Sequence, residues 1–133
     1  MQTKRLSDRP DAIAPDGSQV RILLGVGGGT MAHFELGAGE TSVAVRHRSV
    51  EEVWFFLGGS GEMWRRGEDG EEATVDVGPG VSIDIPLGTT FQFRCSGDEP
   101  LRAVGATMPP WPGAGEAILA DGPWPPTVAP GPT

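Results

Sequence analysis

The sequence predicts an all-β fold, and three observations carry that expectation. Runs of apolar and β-branched residues are short and recur at close, regular intervals along the chain. Glycine (21 residues) and proline (13) are abundant while 38% of the chain is hydrophobic. That balance suits many strands joined by tight turns and disfavours helices, whose interiors both residues weaken. The 133 residues fit one domain with a single core.

Taken in order, residues 1–18 read as a loose, polar N-terminal arm containing Pro10, Pro15 and Gly17. Val20 to Leu24 forms the first expected strand, and Gly25-Val-Gly-Gly-Gly29 a flexible turn. Thr30 to Leu36 alternates, with Ala32, Phe34 and Leu36 on one side and His33 and Glu35 on the other. Val43 to His47 and Glu52 to Leu57 follow, the latter closed by Gly58-Gly-Ser-Gly61. Glu62 to Arg66 returns from that turn, and Asp69-Gly70 signals a hairpin. Thr74 to Val77, Val81 to Ile85, Thr90 to Cys95 and Leu101 to Met108 complete the series. Gly78-Pro-Gly80, Pro86-Leu-Gly88 and Ser96-Gly-Asp-Glu-Pro100 separate them. A small all-β sandwich or barrel is thus expected over residues 19–108.

Residues 109–133 differ in character, holding eight of the 13 prolines together with Trp111 and Trp124. Proline lacks a backbone donor, so this extension cannot supply an interior strand. Trp111 is expected to pack, Gly115 to Ala120 to hold at most one helical turn, and the chain beyond about Pro125 to be disordered.

Composition narrows the partners. The net charge of −8 argues against nucleic acid, which demands clustered Lys and Arg, and against anionic membrane surfaces. No apolar run reaches the roughly 20 residues of a membrane span. The N-terminus lacks an apolar signal-like stretch, and Cys95 is the only cysteine, so a reducing, cytoplasmic location is expected. Gly25 to Gly29 is not followed by the Lys-Ser/Thr of a phosphate loop. Tyrosine is absent, which removes phenolic acid–base chemistry.

Two stretches carry a more specific pattern: Gly39 through His47, Glu52 and Gly59, and Gly80 through Pro86, Gly88 and Phe91 to Cys95. Together they resemble the two motifs of small single-domain cupins, over roughly the middle half of the chain. The resemblance implies a double-stranded β-helix, a jelly-roll barrel, and a homodimer formed through its sheets. In that family the first motif gives two His and one Glu to a metal, and the second gives a third His. Glu52 matches the family's Glu, and His47 has the spacing of the second His, which leaves Val45 in place of the first. In the alternative alignment His47 is the first and Ser49 replaces the second. Phe91 stands where the third His would be and Cys95 where the terminal Asn would be, so the ligand set is incomplete.

Alternation puts Val45, His47 and Ser49 on one face, with Glu52, Trp54 and Phe56 on another and Phe91 and Phe93 on a third. With these faces turned inward, as the resemblance implies, the barrel offers an aromatic cavity with His47 and Glu52 as its strongest polar groups. Such a cavity is a usual small-molecule site. The first functional expectation is an enzyme of non-redox acid–base type, an isomerase, dehydratase, epimerase or cyclase. His47 is then the base, Glu52 the acid or orienting partner, and no cofactor is needed. Burial among Trp54, Phe56 and Phe91 should raise the pKa of Glu52 and lower that of His47 unless the two pair. The second is a metal-dependent cupin such as a dioxygenase, holding Fe, Zn or Mn through His33, His47 and Glu52. It requires His33 to face the cavity rather than the outer side with Glu35. The third is a non-catalytic cupin that binds a small metabolite.

Overall fold

The computed structural model describes residues 1–132 and contains eleven strands. These are β1 (Ala12–Ile13), β2 (Gln19–Val26), β3 (Gly29–Leu36), β4 (Val45–His47) and β5 (Glu51–Gly58). They continue as β6 (Gly61–Arg66), β7 (Glu72–Val77), β8 (Ser82–Ile85), β9 (Thr90–Cys95), β10 (Leu101–Met108) and β11 (Ala117–Leu119). Two antiparallel sheets result, one ordered β1-β2-β3-β10-β5-β8 and the other β11-β4-β9-β6-β7. Every expected strand is present, and the architecture is the all-β, double-stranded β-helix type expected from the motifs.

The strands form where side-chain alternation lets one face go dry. In β5 exposed and buried residues alternate from Glu51 to Leu57, so Glu52, Trp54 and Phe56 point inward. Leu36, Phe56 and Ile85 of the larger sheet meet Met63, Phe93 and Cys95 of the smaller one in a single core. Gly59 turns the chain between β5 and β6 at a φ of 75°, and a side chain there would collide with the backbone at Pro100.

Both termini depart from expectation. The arm is not loose: β1 pairs with β2, and Arg21 Nε and Nη2 donate to the carbonyls of Ser7 and Asp8. The C-terminal extension is stitched to the barrel as well. Gly115 to Ala120 holds the strand β11, paired with β4, rather than a helical turn. Beyond Pro125, Thr127 N donates to Thr41 O (3.0 Å), Gly131 N donates to Ala14 O (2.9 Å) and Val128 packs on the core. Prolines cost the extension donors but leave its carbonyls and apolar rings, and an edge strand plus the arm supply the missing partners. The three expected units, 1–18, 19–108 and 109–133, are therefore joined by pairing across both boundaries.

Candidate active site

The site begins with two short stretches of alternation. His47 ends β4 with its side chain turned inward, and Glu52 stands second in β5 on the same interior. They meet with His47 Nδ1 and Glu52 Oε2 3.1 Å apart, at 7% and 3% side-chain exposure. The approach is close, although the Nδ1–H direction is not aligned on Oε2 as in a straight hydrogen bond. The other carboxyl oxygen, Oε1, accepts from Thr107 Oγ1 (2.9 Å) and more weakly from Trp54 Nε1 (3.4 Å). The ring of His47 is wedged edge-on between Phe91 and Trp111, with centroids 5.4 and 5.1 Å away.

Burial sets the protonation of the pair. It pushes Glu52 up to about 7, more than the Thr107 and Trp54 bonds pull it down, with the Asp16 carboxylate adding to the rise. It pushes His47 down to about 4, against an opposing pull from Glu116. Both directions agree with the sequence expectation. Near neutrality the imidazole is uncharged and Glu52 is close to its midpoint. Because Oε1 already holds two donors, the proton of neutral Glu52 belongs on Oε2, against Nδ1. That leaves the imidazole N–H on Nε2. When Glu52 ionises, Nδ1 becomes the donor to Oε2 and Nε2 presents a lone pair. The pair thus exchanges a donor for an acceptor at the one nitrogen left free to meet a ligand, and its titration belongs to both groups together.

The pair sits in the wall of a cavity of about 460 Å³, within the usual range for small-molecule sites. Of the residues expected to line it, Val45, His47, Glu52, Trp54 and Phe91 do so. Three do not. Phe56 and Phe93 are inward but lie deeper in the core, behind Trp54, whose indole makes tilted and edge contacts with them. Ser49 lies beyond the end of β4, where its backbone N donates to Glu116 Oε1 at 2.8 Å and its Oγ to the same oxygen. Past the strand end the two-residue alternation no longer governs direction.

His33 is also placed elsewhere. Ala32 and Phe34 take the cavity side of β3, so His33 lies on the outer face beside its cross-strand neighbour Arg21. There it is almost fully buried (1% exposed), with neither ring nitrogen bonded. Burial first, then Arg102 and Arg21, lower its pKa. The expected triad of His33, His47 and Glu52 is consequently not assembled. Among the described residues, no group of three or more His, Cys, Asp or Glu side chains is placed to hold a metal ion. Phe91 occupies the cavity wall where the motif would put a His, and Cys95 Sγ donates to Glu99 O (3.0 Å) instead of facing the pair. The donor set does not fit the family's metal.

Several cavity residues were not expected from the sequence. Phe34 stacks on Trp54 at 4.7 Å, Thr107 holds Glu52, and Asp16 with Ala12 to Pro15 brings the arm into the wall. The inward alternation of β3 was a usable signal for Phe34. For Thr107 the signal was weak, and for Asp16, in a Pro-flanked turn, there was none.

Comparison with known proteins agrees with the geometry at the level of fold. The sequence pattern of the family described as Cupin domain matches residues 32–106, more than half of the chain. No curated protein sequence matches it. Among solved structures, CapF with the inhibitor 3-isopropenyl-tropolone is similar at a TM-score of 0.69 and 17% identity, over 80% of this chain and 32% of that one. Oxalate decarboxylase from Bacillus subtilis gives a TM-score of 0.69 at 17% identity, over 82% of this chain and 29% of its own. The capsular polysaccharide assembling protein CapF from Staphylococcus aureus gives 0.69 at 16%, over 89% and 34%. The chain spans about one third of the length of these structures.

Proposed function

The chain belongs to the cupin domain family, and from that premise we propose that it is a small-molecule enzyme of non-redox acid–base type. The reaction class is isomerase or lyase: a proton is taken from carbon or oxygen of a bound substrate and is either returned at another position of the same molecule or delivered to the group that departs as the new double bond forms. His47 Nε2 is the proposed base, and Glu52 takes or supplies the proton at the other nitrogen. Identity near one sixth carries the fold, so the chemistry named for oxalate decarboxylase or CapF is not transferred.

One observation supports this reading above the others. A His and a Glu touch at 3.1 Å in the wall of an otherwise largely apolar cavity, with Glu52 tuned to about 7. Acid–base catalysis works best when a pKa of the machinery lies near the working pH; Glu52 is the member of the pair poised there, and it sets whether Nε2 of His47 presents a lone pair or a proton. Phe34, Trp54 and Phe91 supply flat apolar walls for the body of a substrate.

Proton exchange on simple carbon acids tests the mechanism directly. A panel of neutral enolisable aryl ketones is incubated with the protein in deuterated buffer, and loss of α-proton signal is followed by NMR. The wild-type protein should accelerate exchange for at least one member. The His47→Ala variant should fall by about 10²- to 10⁴-fold, the usual range for removing a positioned base. Binding without exchange by wild-type protein would reduce the site to a receptor. Equal exchange by a folded His47→Ala variant would remove the mechanism.

A further inference from the structure

The charge of the cavity wall deepens this reading, on which the inference rests. All ten Lys and Arg side chains lie elsewhere. Arg21 reaches Glu35 and the arm, Arg65 pairs with Asp84, Arg94 with Glu62, and Arg48 donates to Gly115 O. Arg66 lies over Trp64, while Lys4, Arg5, Arg9 and Arg46 are exposed and Arg102 packs at Gly58. Against this absence stand two acids, Glu52 and Asp16, and one uncharged imidazole.

Asp16 is placed with care. It is 5% exposed in the turn between β1 and β2. Its Oδ1 accepts from Ser18 N (2.9 Å) and Ser18 Oγ (2.6 Å), while its carbonyl accepts from Val43 N (2.8 Å) just ahead of β4. Those bonds leave Oδ2 without a protein partner among the described residues. The carboxyl is near enough to Glu52 to raise its pKa. His47, also more than nine-tenths buried and lining the cavity, turns its Nδ1 to Glu52 Oε2 at 3.1 Å, which leaves Oδ2 of Asp16 as the unengaged carboxyl oxygen of the wall. The wall therefore carries unspent acceptor capacity and no cation to receive an anion.

We propose that the cavity selects neutral or cationic molecules with an apolar body and a hydrogen-bond-donating head, an amine or alcohol rather than a carboxylate, and that Asp16 anchors the head beside the His47–Glu52 pair. A carboxylate entering this space would shed its water, find no positive partner and meet the ionised forms of Asp16 and Glu52, which carry its own sign. An ammonium or hydroxyl would instead donate to Oδ2 of Asp16 or to Glu52, and charge-assisted bonds of that kind are the stronger ones. The aromatic rings add a favourable surface for a cation.

The probes are 2-phenylethylamine, 2-phenylethanol and 3-phenylpropanoate, which share a ring and chain and differ in the head. Binding is read from the fluorescence of the cavity tryptophans and from the shift in melting temperature. Amine and alcohol should bind, with the carboxylate weaker than either by about tenfold or more, a 1.4 kcal/mol difference. Asp16→Asn keeps an acceptor for Ser18 while removing the charge. It should weaken the amine by about tenfold and the alcohol by much less. Carboxylate binding equal to the amine, an Asp16→Asn loss no larger for the amine than for the alcohol, or no binding by any probe at millimolar concentration would overturn the proposal. The wild-type comparison alone decides the charge selection if the variant does not fold. His47-dependent proton exchange together with carboxylate binding would sink the selection and leave the acid–base reading standing, so the two failures are distinguishable.

Discussion

Glu52 and His47 pull the pH dependence of stability in opposite directions. Glu52 keeps its proton in the folded protein to about pH 7, against an ordinary value of 4.5. Its contribution is whole below pH 4.5 and is lost as pH rises through 7. His47 titrates near 4 in the fold against an ordinary 6.5. Its contribution is whole above pH 6.5 and is lost as pH falls toward 4. Each slope is about 1.4 kcal/mol per pH unit, so where the two windows overlap, between about pH 4.5 and 6.5, they offset one another. Replacing Glu52 with Gln removes one side. Relative to wild type, stability of Glu52→Gln should therefore rise with pH between about 4.5 and 6.5, measured by denaturant titration at several pH values. Asp16, also raised by burial, is present in both proteins, so the difference between them reads Glu52 together with its coupling to Asp16. Parallel curves for the two proteins would mean that Glu52 has no raised pKa. The identities of both residues, and the directions of their shifts, were readable from motif spacing and alternation. Thr107, which holds Glu52, and Asp16, whose charge raises its pKa, were not, because they arrive from strands and turns far away in sequence.

At the scale of elements, β10 and the C-terminal extension set the cavity. Gly105 in β10 lies under the stacked Phe34 and Trp54, and a methyl group there would sit 2.8 Å from each ring. Gly105→Ala should push the indole aside, cost about 1–3 kcal/mol by overpacking and shift tryptophan emission. An unchanged emission spectrum with wild-type stability would show that the ring has room. The extension holds the barrel from outside. Gln92 Nε2 donates to Trp124 O at 2.8 Å, Trp124 lies under Arg94 at 4.1 Å, and Pro132 reaches the cavity. Truncation after Pro126 removes the Thr127, Val128 and Gly131 contacts. It should cost about 1–3 kcal/mol, the scale of one well-packed aliphatic side chain, and speed proteolysis of the arm. An unchanged midpoint in guanidinium would show the extension to be a passenger. Strands with clean alternation, such as β5, were legible in the sequence. β11 was not, because a three-residue edge strand among prolines has no period to read.

For the whole molecule, the outer face of the larger sheet is the unfinished surface. Val53, Phe55 and Leu57 project from β5 at 45%, 46% and 39% exposure. Contiguous apolar surface of this kind marks association sites. The homodimer implied by the resemblance is proposed to form here, where two copies could cover the same residues. Sedimentation velocity at micromolar concentration should show a dimer for wild type and a monomer for Phe55→Glu, with the barrel intact by circular dichroism. A wild-type monomer would remove the dimer from the proposal. Among the described residues no helix is long and apolar enough to cross a membrane.

Local pattern by itself determined nine of the eleven strands, which side chains share a face and the turn glycines, and the family resemblance gave the inward direction that puts His47 and Glu52 in one interior. These depend on neighbours two to ten residues apart, and a two-residue alternation records them directly. Tertiary structure alone decided that His33 turns away, that Ser49 binds Glu116, that Thr127, Val128 and Gly131 of the extension dock on the barrel and the arm, and that the cavity wall holds Asp16 but no cation. Those outcomes depend on which distant segments arrive beside a side chain, and burial energy follows from that meeting rather than from position in the chain.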